Sequence, residues 1–111
     1  MAPLRCHNPD VEKRKPHHDL AAFKRAFSTE KALYMTLTAA TDALSIGFTR
    51  VKVVEVIQGM RSLQFYKSMT ADGDSASWQD VYHVPCDGMI LYIKFTDDRI
   101  TAFRLLSFKE K

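Results

Sequence analysis

The chain has 111 residues and a mass of 12.7 kDa, enough for one small hydrophobic core and too short for two. Hydrophobic residues make up 46% and charged residues 26%, a mix that excludes wholesale disorder and fibrous repeats. Sixteen Lys and Arg against thirteen Asp and Glu leave a net charge of +3, which permits a polyanionic partner without requiring one.

The excess charge lies in residues 1–31, where seven cations meet four acids; the other eighty residues balance. No stretch approaches the roughly 18 apolar residues that a membrane helix needs. The opening run from Met1 to Asp10 lacks the apolar segment of a secretory leader. Cys6 and Cys86 are too few for a disulfide scaffold, so free thiols in a reducing, cytoplasmic setting are expected.

Residues 1–16, with Pro3, Pro9 and Pro16, read as a loose basic arm. Asp19 can cap a helix on which Leu20, Phe23 and Phe27 recur at helical spacing. A second helix is expected over Thr38–Ile46, stopped by Gly47. Thr49 offers the next N-cap, with Phe48 placed to staple onto Val53 in a helix running to Gly59. The β-branched run Val51, Val53, Val54, Val56 and Ile57 would also suit a buried strand; the cap and the glycine favour helix. From Leu63 the hydrophobic period changes to two, over Leu63–Met69, Ser77–Val84, Met89–Thr96 and Ile100–Lys109. Asp72-Gly73, Asp87-Gly88 and Asp97-Asp98 carry the turn chemistry between them. Helices followed by an antiparallel meander make an α+β domain.

Strand alternation then assigns faces. Centring the first hairpin on Gly73 sets Lys67 opposite Gln79. A second loop of two or four residues ending at Gly88 keeps Tyr92 and Lys94 on the same face. If Asp97-Asp98 is a two-residue turn, Phe103, Leu105, Ser107 and Lys109 join them. Trp78, Tyr82, Leu91, Ile93, Phe95, Ile100, Ala102, Leu106 and Phe108 fall on the other, core face. The first face thus gathers Lys67, Lys94 and Lys109 with Gln79, His83 and Tyr92 among apolar Phe65, Met69 and Val81. Like-charge crowding and an apolar surround both lower lysine pKa values, and such a group suits an anion that gains charge during reaction, as a phosphate under attack does. A plain solvated sheet face with aggregation-blocking lysines is the ordinary alternative. Asp80, on the core side, reads as a structural hydrogen-bond acceptor.

Other groupings carry less. Cys6-His7 and His17-His18 fit no standard zinc spacing. Cys86 with His83 three residues away is an unspecific nucleophile–base pair. Gly-rich phosphate loops, GxSxG and HExxH are absent.

Phe65-Tyr66-Lys67-Ser68-Met69-Thr70, Trp78-Gln79-Asp80-Val81-Tyr82, Leu91-Tyr92-Ile93-Lys94 and the terminal Ser107-Phe108-Lys109-Glu110-Lys111, with Glu12-Lys13-Arg14 and Pro16-His17, resemble the MqsR (motility quorum-sensing regulator) family of bacterial toxins. The resemblance covers residues 12–111 as one domain and leaves 1–11 as a flexible extension. It implies a RelE-like toxin fold, N-terminal helices followed by a curved antiparallel sheet. It implies a metal-independent endoribonuclease that cuts mRNA at GC-containing triplets, needs no cofactor, and is inhibited by a zinc-containing helix-turn-helix antitoxin. By the family's motifs, Lys67, Gln79, Tyr92 and Lys109 are the candidate catalytic residues, and Lys94, His83, Lys13 and Arg14 the candidate RNA-binding ones. Where the family shows more arginine, this chain has His83-Val84-Pro85-Cys86-Asp87-Gly88, which removes bidentate guanidinium contacts. A non-catalytic nucleic-acid-binding module, or a protein-interaction module using a sheet edge, would share most of these features.

Overall fold

The computed structural model describes residues 11–71 and 74–111, with side chains described outside 71–76. Cys6, His7 and all of the expected 1–11 extension except Val11 lie outside the described residues. In chain order the elements are β1 (Glu12–Lys13), α1 (Leu20–Ala26), α2 (Leu37–Ser45), α3 (Arg50–Gln58), β2 (Phe65–Ala71), β3 (Asp74–Cys86), β4 (Met89–Asp98) and β5 (Ala102–Glu110). The strands form one antiparallel sheet in the order β1-β2-β3-β4-β5, and the fold is α+β.

Each helix starts where a short polar side chain accepts from the first turn. Asp19 accepts from the Ala21 amide, Thr36 from Ala39 and Thr49 from Lys52, contacts worth about 1 kcal/mol each. The second helix starts one residue earlier than expected because Thr36, not a later residue, is its cap. The third is a helix despite its β-branched composition. Val53, Val56 and Ile57 are buried along one stripe, so tertiary packing and the Thr49 cap outweigh strand propensity. Gly47 takes φ +86° in the turn after α2, a conformation that favours glycine. No helix among the described residues is long and apolar enough to cross a membrane.

The helices cover one face of the sheet. Phe23 stacks on Phe95 with ring centroids 3.7 Å apart and planes 4° from parallel, and Phe27, Tyr82, Leu91, Ile93, Leu105 and Phe108 complete the buried cluster. Truncating Phe23 to Ala at this depth costs about 3–5 kcal/mol. The loop before α2 closes on β5: the Leu105 amide donates to the Tyr34 carbonyl at 2.8 Å and the Thr36 amide to the Leu105 carbonyl at 3.0 Å.

Four expectations are corrected. The arm is not loose from residue 11 onward, because Glu12 and Lys13 pair with Met69 and Ser68 and thereby satisfy the open edge of β2. Lys67 faces Val81, and Gln79 faces Met69, a slide of two residues that leaves both on their expected face. Phe65 packs edge-on against Tyr82 on the core side, since a bulge between Phe65 and Lys67 breaks the alternation. The last turn spans three residues, 99–101, between paired Asp98 and Ala102. Its odd length turns Phe103 and Leu105 inward and leaves Ile100 91% exposed. A second bulge, at Leu106 between the pairs Phe95–Leu105 and Lys94–Ser107, reverses the flip. Lys109 therefore keeps the face expected for it, opposite Tyr92.

Candidate active site

The sheet face away from the helices is crossed by three rows of paired residues. Met69 and Gln79 form one; Lys67, Val81, Lys94 and Ser107 the next; His83, Tyr92 and Lys109 the third. Lys67, Gln79, Tyr92, Lys94 and Lys109 therefore share a face. Lys67 and Gln79 are diagonal neighbours, about 7–8 Å apart at the backbone. Lys67 and Lys109 stand three strand spacings apart, about 14 Å; Lys109 reaches the Tyr92 ring, whereas the Lys67 ammonium is held toward β1 by Glu12. Val81 is fully buried yet stands outside the helix-side core. The lysines of the adjacent strands flank it, as expected where apolar stems cover a residue and keep their charges at the surface.

The bulge in β2 adds a residue that alternation alone misses. Tyr66 lies over His83, ring centroids 4.2 Å apart, with the Lys67 ammonium 5.5 Å from its own ring. His83 meets Tyr92 at 5.9 Å, and Lys109 Nζ lies 5.4 Å from the Tyr92 ring centroid. Counted from Lys67, Tyr66 should point at the core. No glycine marks the bulge, so no sequence signal announces the change.

Glu12 is the second addition. Its Oε2 accepts from Lys67 Nζ at 2.5 Å. The hydrogen bond to Glu12 raises the Lys67 pKa above its ordinary value, and burial opposes it only in part. The expectation that crowded lysines hold one another low is corrected for Lys67: its ion-pair partner outweighs the desolvation. Burial raises the Tyr92 pKa, while the Lys67 charge pulls it down by less. Tyr92 is thus a protonated phenol at neutral pH, a hydrogen-bond donor. Burial, with Lys111 and Lys67 nearby, lowers the His83 pKa from 6.5 and favours a neutral imidazole.

Lys13 and Arg14 do not join this group. Lys13 pairs with Ser68 on the helix side, where its ammonium lies 4.1 Å above the Trp78 ring and 2.8 Å from His17 Nδ1. Arg14 reaches only the periphery, 5.9 Å from the Tyr66 ring. Asp80 is structural, as its position suggests. Fully buried, it accepts from the amides of His17 and His18 and from Ser68 Oγ at 2.6 Å. This clamp fastens the chain behind β1 to the sheet. Cys86 is a half-buried free thiol whose pKa burial raises, the opposite of nucleophile activation. Among the described residues no three or more His, Cys, Asp or Glu side chains group as metal ligands.

A cationic, partly apolar face with a phenol, an amide and an imidazole can hold a phosphate diester and donate protons to it. Residues 15–110 match the model of a protein family described as "Motility quorum-sensing regulator, toxin of MqsA". The chain is 35% identical over 101 residues to the mRNA interferase toxin MqsR of Escherichia coli (strain K12). That alignment covers 91% of this chain and 100% of the relative.

Proposed function

The chain belongs to the MqsR toxin family, and from that premise we propose that it is an endoribonuclease that cuts mRNA on the outer face of its sheet. The 2′-hydroxyl attacks the adjacent phosphorus and gives up its proton to solvent water. The P–O5′ bond breaks, and the 5′ oxygen takes up a proton. The products are a 2′,3′-cyclic phosphate and a 5′-hydroxyl. Lys67 binds the scissile phosphate and offsets the extra negative charge of the transition state. Tyr92, protonated at neutral pH, donates to a phosphate oxygen or to the leaving 5′ oxygen. Gln79, one row away, orients the phosphate or the 2′-hydroxyl through its amide. Lys109 and Lys94 hold flanking phosphates, and His83, opposite Tyr92 on the neighbouring strand, adds a further RNA contact. The chemistry asks for no metal, since the lysines supply the positive charge.

The observation that supports this reading is that Lys67, Gln79, Tyr92 and Lys109 share one sheet face, with Lys109 Nζ 5.4 Å from the Tyr92 ring and the Lys67 charge near enough to lower the Tyr92 pKa. The test incubates purified protein with an end-labelled transcript in EDTA. Defined fragments ending in 2′,3′-cyclic phosphate are expected, with no cleavage by Lys67→Ala. Retention without fragments would identify a binding module instead, and equal cutting by the variant would remove Lys67 from the mechanism. The partner we propose is an MqsA-type antitoxin, zinc-containing and with a helix-turn-helix, that holds the toxin inactive in the cytoplasm.

A further inference from the structure

We propose that Glu12 sets the affinity threshold of this face by standing in for the RNA phosphate: its carboxylate occupies the anion position on Lys67 in the free enzyme and yields it when a polyanion binds. The inference rests on the reading of Lys67 as the phosphate ligand and adds the residue that guards it. Carboxylate and phosphate oxygens accept from an ammonium in the same way, so one Lys67 rotamer serves both.

The arrangement is built. Glu12 reaches Lys67 from its place opposite Met69 on a strand of only two residues. That strand is held in front by Val11, whose amide donates to Thr70 Oγ1 at 3.0 Å and whose carbonyl accepts from the Thr70 amide at 2.9 Å. Behind, the Asp80 clamp holds His17 and His18. The backbone is thus fixed while the carboxylate is free to turn. The Lys67 side chain is 17% exposed and that of Glu12 46%, so a ligand arriving from solvent meets the carboxylate first. Displacing an exposed partner costs little. A mononucleotide offers Lys67 one phosphate in exchange for one carboxylate and gains almost nothing. A strand of RNA adds contacts at Lys94 and Lys109 and wins the exchange. Glu12 thereby weakens both ligands by about the same factor, which leaves a single phosphate bound too weakly to fill the site while a polymer still binds.

The test measures binding of a fully 2′-O-methyl RNA oligonucleotide, which cannot be cleaved, and of 5′-AMP. Wild type, Glu12→Gln, Glu12→Asp, Lys67→Ala and the Glu12→Gln/Lys67→Ala double variant are compared. Glu12→Gln is expected to bind both ligands about threefold to tenfold tighter, with a log–log salt slope steeper by about 0.7. Its KM on cleavable RNA falls in step and kcat stays within about twofold. Glu12→Asp restores the wild-type affinities, and the gain vanishes in the Lys67→Ala background. In the wild-type protein, the Glu12 carboxyl 13C resonance should move to the position of a solvated glutamate as the oligonucleotide is added, a readout independent of any variant's folding. An unmoved resonance, or unchanged affinities in Glu12→Gln, overturns the proposal. So does a collapse of kcat at constant affinity, which would make Glu12 a proton acceptor. If Lys67→Ala binds and cuts like wild type, the phosphate-ligand reading of Lys67 fails instead.

Discussion

Tyr66 stacks on His83, ring centroids 4.2 Å apart and planes 22° from parallel, although Tyr66 directly precedes Lys67 on the same strand and both project from one face. Only a bulge permits that, because consecutive strand residues otherwise point to opposite sides. The consequence is a row of rings, Tyr66, His83 and Tyr92, with an ammonium near each end. Stacking and cation–π attraction hold such a row, and burial, reinforced by the charges of Lys111 and Lys67, makes a charged imidazole unwelcome in its middle.

That placement fixes a pH dependence of stability. Folding lowers the His83 pKa below 6.5, and His17 shifts the same way through burial and Lys13. The unfolded chain therefore binds these protons more readily than the folded one. Their contribution to stability is complete above the unfolded value and is lost as pH falls from there through the folded pKa. The thermal midpoint should drop between about pH 7 and pH 5.5, and His83→Gln should shrink that drop by about 2 °C. A midpoint that rises on acidification across this window contradicts the shift.

Tyr92→Phe separates a neutral phenol from a phenolate. Burial keeps the hydroxyl protonated, so the variant should lose about a hundredfold in kcat/KM by a factor that is flat between about pH 6 and pH 9. Affinity for uncleavable RNA should change less than about threefold, since the hydroxyl acts on charge developing in the transition state. A wild-type rate that climbs through an inflection near neutrality, abolished by Tyr92→Phe, would mean that the phenolate is the active form.

How much of this was legible follows from where the chain keeps its period. Asp19 and Thr49 announce their helices because capping is local chemistry. Asp87-Gly88 announces its hairpin, and both residues take positive φ, 52° and 80°, as a tight two-residue turn requires. A displacement of two residues in the first hairpin and an even-length second loop both leave the face assignment unchanged, so Lys67, Gln79 and Tyr92 could be placed on one face. The bulges at Tyr66 and Leu106 could not be read. Each adds one residue without glycine or proline, and only cross-strand packing decides where the extra residue goes. Strand β1 was equally silent: two charged residues carry no periodicity, and their pairing depends on Met69 and Ser68, more than fifty positions away.

Asp80→Ala tests the clamp on the N-terminal segment. The substitution leaves two part-buried backbone amides without their acceptor and Ser68 Oγ with only its 3.3 Å bond to the Gln79 carbonyl, so a loss of about 2–4 kcal/mol in urea unfolding is expected. Hydrogen exchange at the amides of His17 and His18 should accelerate by more than the global loss explains, because β1 detaches locally. Unchanged protection there would show that β1 is held by its own pairing alone.

Deleting Leu106 tests the register on which Lys109 depends. Without the extra residue, β5 cannot keep both halves in place. Either residues 102–105 slip, turning Phe103 and Leu105 out of the core, or residues 107–110 slip, burying Lys109 and exposing Phe108. Leu105 is held by backbone bonds to Tyr34 and Thr36 as well as by burial, whereas Lys109 and Glu110 end the strand at the surface. The terminal half should therefore yield. The cost is about 3 kcal/mol or more, because an aromatic side chain leaves the core and an ammonium faces it. RNA cleavage should be lost with it, since Lys109 no longer stands beside Tyr92. A deletion variant that is destabilised but still cuts would place the slip in residues 102–105, and one that keeps full stability would remove the bulge from the fold.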